Sequence, residues 1–110
     1  MARPNERWKL MSQTVQAVFT CQAGKGAGLL AILGSDQGLA ATRAFEGCES
    51  VETYTDADNP DTIVLWEKFA TRADHEAYIA WRVEIGMIDM LGSILARDLQ
   101  ITYLDNHPGV

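Results

Sequence analysis

Thr62-Ile63-Val64-Leu65-Trp66-Glu67-Lys68-Phe69 is the stretch whose reading decides the fold. Four consecutive apolar residues, β-branched and aromatic types among them, describe a well-buried strand. Immediately upstream, Asp56-Ala57-Asp58-Asn59-Pro60-Asp61 is a dense cluster of turn-forming residues. Before that cluster, residues 48–55 (CESVETYT) read as another strand. Two strands joined by a short polar turn predict an antiparallel hairpin.

Working outward toward the C-terminus, Thr71 is placed to cap a helix, with Asp74 three residues later as a shortened capping box. Residues 72–85 hold helical register until Gly86, and residues 87–96 (MIDMLGSILA) resume it with Ile88, Leu91 and Leu95 on one face. Leu99, Ile101 and Tyr103 then alternate with Gln100 and Thr102, which predicts a last strand. Toward the N-terminus, residues 14–23 alternate, with Val15, Ala17, Phe19 and Cys21 on one side. Gly24-Lys25-Gly26-Ala27-Gly28 ends that strand. Residues 27–33 and 39–45 read as helix, kinked or split around Gly34, Ser35 and Gly38.

The order is β-α-β-β-α-β. This is the α+β, ferredoxin-like split βαβ pattern: a four-stranded antiparallel sheet with both helical units on one face. The other face still carries either Val64 and Trp66 or Ile63 and Leu65, depending on which set points inward. An apolar sheet face calls for a cover, and a second copy of the chain is the commonest one. A homodimer is therefore expected.

At 110 residues the chain has room for one domain, expected over residues 13–105, with an N-terminal arm (1–12) and a C-terminal tail (106–110). Trp8 is the arm's one docking candidate. The net charge is −6 and the nine Lys and Arg residues are scattered, so nucleic acid and anionic membrane surfaces are poor partners. The longest apolar runs fall well short of a membrane span, and the N-terminus lacks the pattern of a secretion signal. The expected location is cytoplasmic. Cys21 and Cys48, with His75 and His107, have no metal-ligand spacing. Gly24-x-Gly26-x-Gly28 matches neither the dinucleotide nor the P-loop spacing, and His75-Glu76 lacks the second His of a zinc-protease helix.

Several short motifs occur together in order: Gly47-Cys48 before the second strand, Asp58-Asn59-Pro60 in the hairpin, Leu65-Trp66-Glu67-x-Phe69 ending the third strand, and Tyr78-x-x-Trp81-Arg82 on the helix. In this the chain resembles the antibiotic biosynthesis monooxygenases. The resemblance implies a dimeric α+β barrel, two sheets packed face to face, with a pocket in each subunit between sheet and helices. Members of that family oxidise quinols or polyketide phenols with dioxygen and no cofactor, degrade haem, or have no established activity. The haem-degrading branch carries an Asn on the first strand, a Trp late in the third and a His on the next helix. Here the corresponding residues are Gln13, Gln16 and Phe69, with only His75 in place, which speaks against haem.

Cofactor-free oxygenation of a small aromatic needs an apolar slot, loss of a phenolic proton, and stabilisation of the resulting anion away from water. His75, Tyr78, Ile79 and Arg82 share one helix face by their spacing. His75 is the candidate base, Arg82 the oxyanion partner and Tyr78 a hydrogen-bonding residue. Trp66, Phe69 and Trp81 are candidates for the substrate-binding walls. Tyr78, Trp81 and Ile85 also form an ordinary core stripe, Glu67 is either exposed at the strand end or paired with Arg82, and His75 is open to a solvated reading. The alternative function is a non-catalytic small-molecule-binding or dimerisation module of the same fold.

Overall fold

The computed structural model describes residues 12–110. Residues 1–11 of the expected arm, Trp8 included, lie outside the described residues. The elements run β1 (Gln13–Thr20), α1 (Gly26–Leu33), α2 (Leu39–Ala44), β2 (Cys48–Asp56), β3 (Asn59–Phe69), α3 (Arg72–Glu84), α4 (Met87–Gly92) and β4 (Gln100–Leu104). The four strands form one antiparallel sheet in the order β2-β3-β1-β4. This is the ferredoxin-like α+β arrangement read from the sequence.

The register between β1 and β3 settles which side chains point inward. Val15 lies opposite Glu67, Ala17 opposite Leu65 and Phe19 opposite Ile63. Because side chains alternate between faces, these residues share one face with Phe69. Val15, Ala17, Phe19, Ile63, Leu65 and Phe69 are all buried there. The intervening residues take the other face, where Val18 pairs with Val64 and Gln16 with Trp66. Of the two sets left open by the sequence, Val64 and Trp66 therefore lie on the open face, with Trp66 37% exposed.

The hairpin turn is tighter than the turn cluster suggests. Only Ala57 and Asp58 lie outside the strands. The Asp56 carboxylate accepts from the Asp58 amide at 2.9 Å, and the Asn59 side chain accepts from the Asp61 amide at 3.0 Å. These local side-chain bonds shape the turn. Pro60 is accommodated beside the register shift between Thr55 and Asp56, the kind of irregularity that tolerates a strand proline.

Thr71 caps α3 as expected, its hydroxyl accepting from the Asp74 amide at 3.0 Å. The next segment departs from expectation. Gly86 adopts the left-handed conformation, φ 103°, which re-aims the chain into α4. As a result Leu91 is buried while Ile88, expected on the same face, is exposed. The helix also stops at Gly92 because the chain beyond it pairs with the end of β1. The Gln22 amide donates to the Ile94 carbonyl and the Ala96 amide to the Thr20 carbonyl, each at 2.8 Å.

The glycine-rich loop after β1 is held from below. Asp61 accepts from the Gly24 amide at 3.0 Å and from the Gly26 amide at 2.9 Å. A Cβ at Gly26 would collide with the Pro60 carbonyl, so the close approach requires glycine there. The amides that would suit a phosphate are thus occupied by a carboxylate of the chain itself. These two bonds hold the Asp61 carboxyl below its ordinary pKa. A depressed folded-state value means the stabilisation is present above the ordinary aspartate range and is lost as pH falls through the folded value. Asp61→Ala should therefore melt at lower temperature than wild type at neutral pH, with the gap closing in acid. Thermal melts of both proteins from pH 7 to pH 2 provide the check.

Candidate active site

Between the helix-facing side of the sheet and the helices lies a cavity of ≈ 460 Å³. Phe19 and Leu65 contribute from the sheet, and Leu29, Leu39 and Leu91 from α1, α2 and α4. Against this largely apolar lining stand the polar side chains of Thr42, Tyr78 and Arg82, with Ser35 and Gln37 from the exposed linker between α1 and α2. No Asp, Glu or His is among the described residues lining it.

Arg82 organises the polar group. Its Nε donates to the Tyr78 hydroxyl at 2.9 Å, and its Nη1 donates to the Gln37 carbonyl at 2.9 Å. Its Nη2 donates to the Gly38 carbonyl at 2.7 Å and to Thr42 Oγ1 at 3.0 Å. A guanidinium has five N–H donors in a fixed fork, so one, on Nη1, is left over. The Tyr78 and Thr42 hydroxyls are 2.7 Å apart. Only one of their two hydrogens can lie between them, which leaves the other free to donate. The group therefore carries two spare donors on residues that line the cavity, and donors of this kind suit an acceptor oxygen, most of all an anionic one. The guanidinium also sits 4.8 Å from the centre of the Trp81 ring, a cation–π contact that helps hold its plane.

A second polar group lies apart from the cavity. Glu67 is neither exposed at the strand end nor paired with Arg82. It shares strand parity with Leu65 and is 2% exposed. Its Oε1 lies 3.3 Å from Nε2 of His75, itself 1% exposed and not solvated. Arg82 is seven residues beyond His75, about 10 Å along the helix at its usual rise, and is turned to α2 instead. Nδ1 of His75 lies 2.8 Å from the Tyr103 hydroxyl on β4. Burial foremost, then the Glu76 carboxylate, raise the Tyr103 phenol above its ordinary pKa against the lowering effect of Arg72, and Glu67 adds a smaller upward contribution. The phenol thus stays protonated and able to donate. A carboxylate can only accept, which favours the Nε2-protonated imidazole, with Tyr103 donating to Nδ1. The Nε2 contact is off-line for a hydrogen bond, so its attraction is electrostatic.

The six residues expected at the site thus divide. Tyr78 and Arg82 line the cavity together. His75 stands one layer behind, packed against the rings of Phe69 and Tyr78 at centroid distances of 5.0 and 5.9 Å. Phe69 is fully buried beside it. Trp81 packs on Phe45 at 5.6 Å, and neither Phe69 nor Trp81 lines the cavity. Trp66 is on the opposite face of the sheet. Ile85, expected in the core stripe, is 56% exposed. Sequence reasoning missed Thr42, a lone hydroxyl in an alanine-rich helix with no local signal. It also missed Tyr103 as the partner of His75, although the strand alternation already placed it with Ile101. The parity of Glu67 with Ile63 and Leu65 was the available signal for its burial.

Neither thiol is activated. Burial foremost raises both Cys21 and Cys48 above the ordinary cysteine pKa, with Asp61 adding to the first and Glu67 to the second.

The fold and the cavity define a small α+β domain of the ferredoxin-like type with a ligand-sized interior space. The model of the antibiotic biosynthesis monooxygenase family matches residues 12–80, more than half of the chain, and the chain belongs to that family. Among solved structures it is similar to Rv0793 from Mycobacterium tuberculosis, at 26% identity and TM-score 0.73 over 87% of this chain and 95% of that one. A conserved protein from Methanosarcina mazei Go1 matches at 16% identity and TM-score 0.74, covering 92% of this chain and 98% of its own. A structure described as an antibiotic biosynthesis monooxygenase matches at 17% identity and TM-score 0.71, over 87% and 99%. No curated protein matches the chain significantly. No helix among the described residues is long and apolar enough to cross a membrane.

Removing the Tyr103 hydroxyl leaves Nδ1 of His75 buried without its partner. Tyr103→Phe should cost about 1–3 kcal/mol of stability, measured by urea unfolding, with little change in the far-ultraviolet spectrum.

Proposed function

We propose that the cavity binds a small aromatic of quinol type and supports its oxidation by dioxygen without a cofactor. The observation that carries this reading is the pair of spare donors on Thr42, Tyr78 and Arg82 at the wall of a largely apolar cavity. In the reaction, a quinol and dioxygen give a hydroxyquinone and water: one oxygen atom enters the ring and the other leaves as water. The ring must first become electron-rich by ionising. Donors that hold the phenolate oxygen lower the ligand's own pKa, and the proton leaves to water at the cavity opening. His75 then acts through packing, by fixing Tyr78, rather than by touching the phenol. The apolar lining keeps the reduced oxygen species away from bulk water.

The alternative, a non-catalytic binding module, is favoured by one specific observation: among the described residues, no side chain able to take a proton near neutral pH lines the cavity. Oxygen uptake separates the two readings. With a panel of quinols, the metal-free protein should consume dioxygen faster as pH rises and the phenol ionises. Arg82→Met and Tyr78→Phe should each slow turnover, about 10²-fold for the loss of one such donor. His75→Gln should keep the same pH profile. Ligand binding without oxygen uptake anywhere in the panel would establish the binding module instead.

The same reading makes the working unit a cytoplasmic homodimer whose open sheet faces meet through Val64 and Trp66. A charge at the centre of that contact should separate the subunits. Sedimentation of wild type should give a dimer at micromolar concentration and Trp66→Glu a monomer; a monomeric wild type would overturn the assignment.

A further inference from the structure

We infer that the ligand of this cavity carries an aliphatic chain, so that the aromatic is an alkyl- or prenyl-substituted quinol rather than a bare ring. The inference rests on the proposed function for its aromatic head and adds the tail from separate observations. The first is size. A cavity of about 150 Å³ holds a benzene ring, and this one offers ≈ 460 Å³. The second is polarity. Thr42, Tyr78 and Arg82 form one polar cluster, joined by their own hydrogen bonds. The other polar lining residues, Ser35 and Gln37, belong to the linker whose Gln37 carbonyl Arg82 also bonds, so the polar groups gather at one end.

The third observation is the exit. Three lining residues are also at the surface: Ile32 on α1, Ile85 at the end of α3 and Met90 on α4, exposed by 39%, 56% and 37%. Leu30 and Ile88, on the same helices, are exposed as well, by 37% and 61%. The apolar lining therefore continues outward from the cavity past Ile32, Ile85 and Met90, while the exposed Ser35 and Gln37 edge it at the linker. An isolated exposed aliphatic residue needs no explanation, but a contiguous group opening from a cavity does. A methylene chain leaving the cavity would cover Ile32, Ile85 and Met90, and the flexible thioether of Met90 adapts to chains of different branching. A ligand made only of a hydroxylated ring would leave this surface in water.

The test uses the full chain and a series of 1,4-naphthoquinones bearing methyl, butyl, octyl and dodecyl substituents, titrated by calorimetry below their aggregation limits. Affinity should rise by up to about fourfold for each methylene that becomes fully buried, then level off once the chain outruns the exit. Ile85→Ser combined with Met90→Ser should flatten that increment. Both side chains are partly exposed, so the fold tolerates the change. Val83→Ser, an exposed change on α3 that does not line the cavity, should keep the increment. Equal affinity along the wild-type series would overturn the tail while leaving ring binding, and with it the proposed function, intact. A chain-length dependence that persists in the double variant would place the tail elsewhere and also overturn the inference. Failure of every member to bind, the methyl compound included, would sink both the tail and the reading on which it rests.

Discussion

The register between β1 and β3 is the constraint on which the rest of the structure depends. Opposing Phe19 to Ile63 and Val15 to Glu67 sends Ile63, Leu65, Glu67 and Phe69 beneath the helices and leaves Val64, Trp66 and Lys68 outside. A slip of one residue would exchange the two sets entirely, because side chains alternate strictly along a strand. It would put the Lys68 ammonium and the Trp66 indole under the helices, without the volume or the polar partners that their burial requires. The site side of the sheet and its open side are therefore settled by one choice. Asp61, near the start of β3, reinforces it, since its carbonyl accepts from the Cys21 amide at 2.8 Å while its carboxylate holds Gly24 and Gly26.

Given that register, α3 meets two different environments along its length. Near its start, His75 faces Glu67 and Tyr103; two turns later, Arg82 faces the linker into α2. Tyr78 stands between them, touching the imidazole with its ring and the guanidinium with its hydroxyl. The first environment is closed, with Tyr103 bonded to Nδ1 of His75 and the Glu67 carboxylate beside its Nε2. The second opens on the cavity with donors to spare. A His–Glu–Tyr group on one side and a wall with spare donors on the other give the helix a structural end and a ligand-facing end. Glu67 costs less in the core than an isolated carboxylate would because an imidazole nitrogen stands beside it.

Arg82 also explains why the break between α1 and α2 is structured. The Gln37 carbonyl in the linker and the Gly38 carbonyl at the N-cap of α2, which also accepts from the Ala41 and Thr42 amides, take bonds from its two terminal nitrogens. One side chain thereby fixes the linker, the Thr42 hydroxyl and the Tyr78 hydroxyl in a common frame. Positioning of this kind matters for a site whose chemistry depends on where an oxyanion sits. The planar fork does what a lysine could not, since it bonds in several directions at once.

The amino-acid order by itself determined the elements, their sequence and the ferredoxin-like class, down to the Thr71 cap and the hairpin. Those features rest on local periods of two and 3.6 residues and on turn chemistry, all of which act over a few neighbouring positions. It also placed Tyr78 and Arg82 on one helix face. Only the tertiary structure decided that Trp66 faces away from the helices, that His75 is buried behind the cavity, and that Arg82 serves Thr42 rather than Glu67. It also decided where α4 stops, because strand pairing at Leu95 overrode helical spacing. Each of these outcomes is a competition for partners distant along the chain. Thr42 lies 36 residues from Tyr78, and His75 28 from Tyr103. A polar side chain takes whichever partner the packed elements bring within reach, and no local pattern encodes that choice.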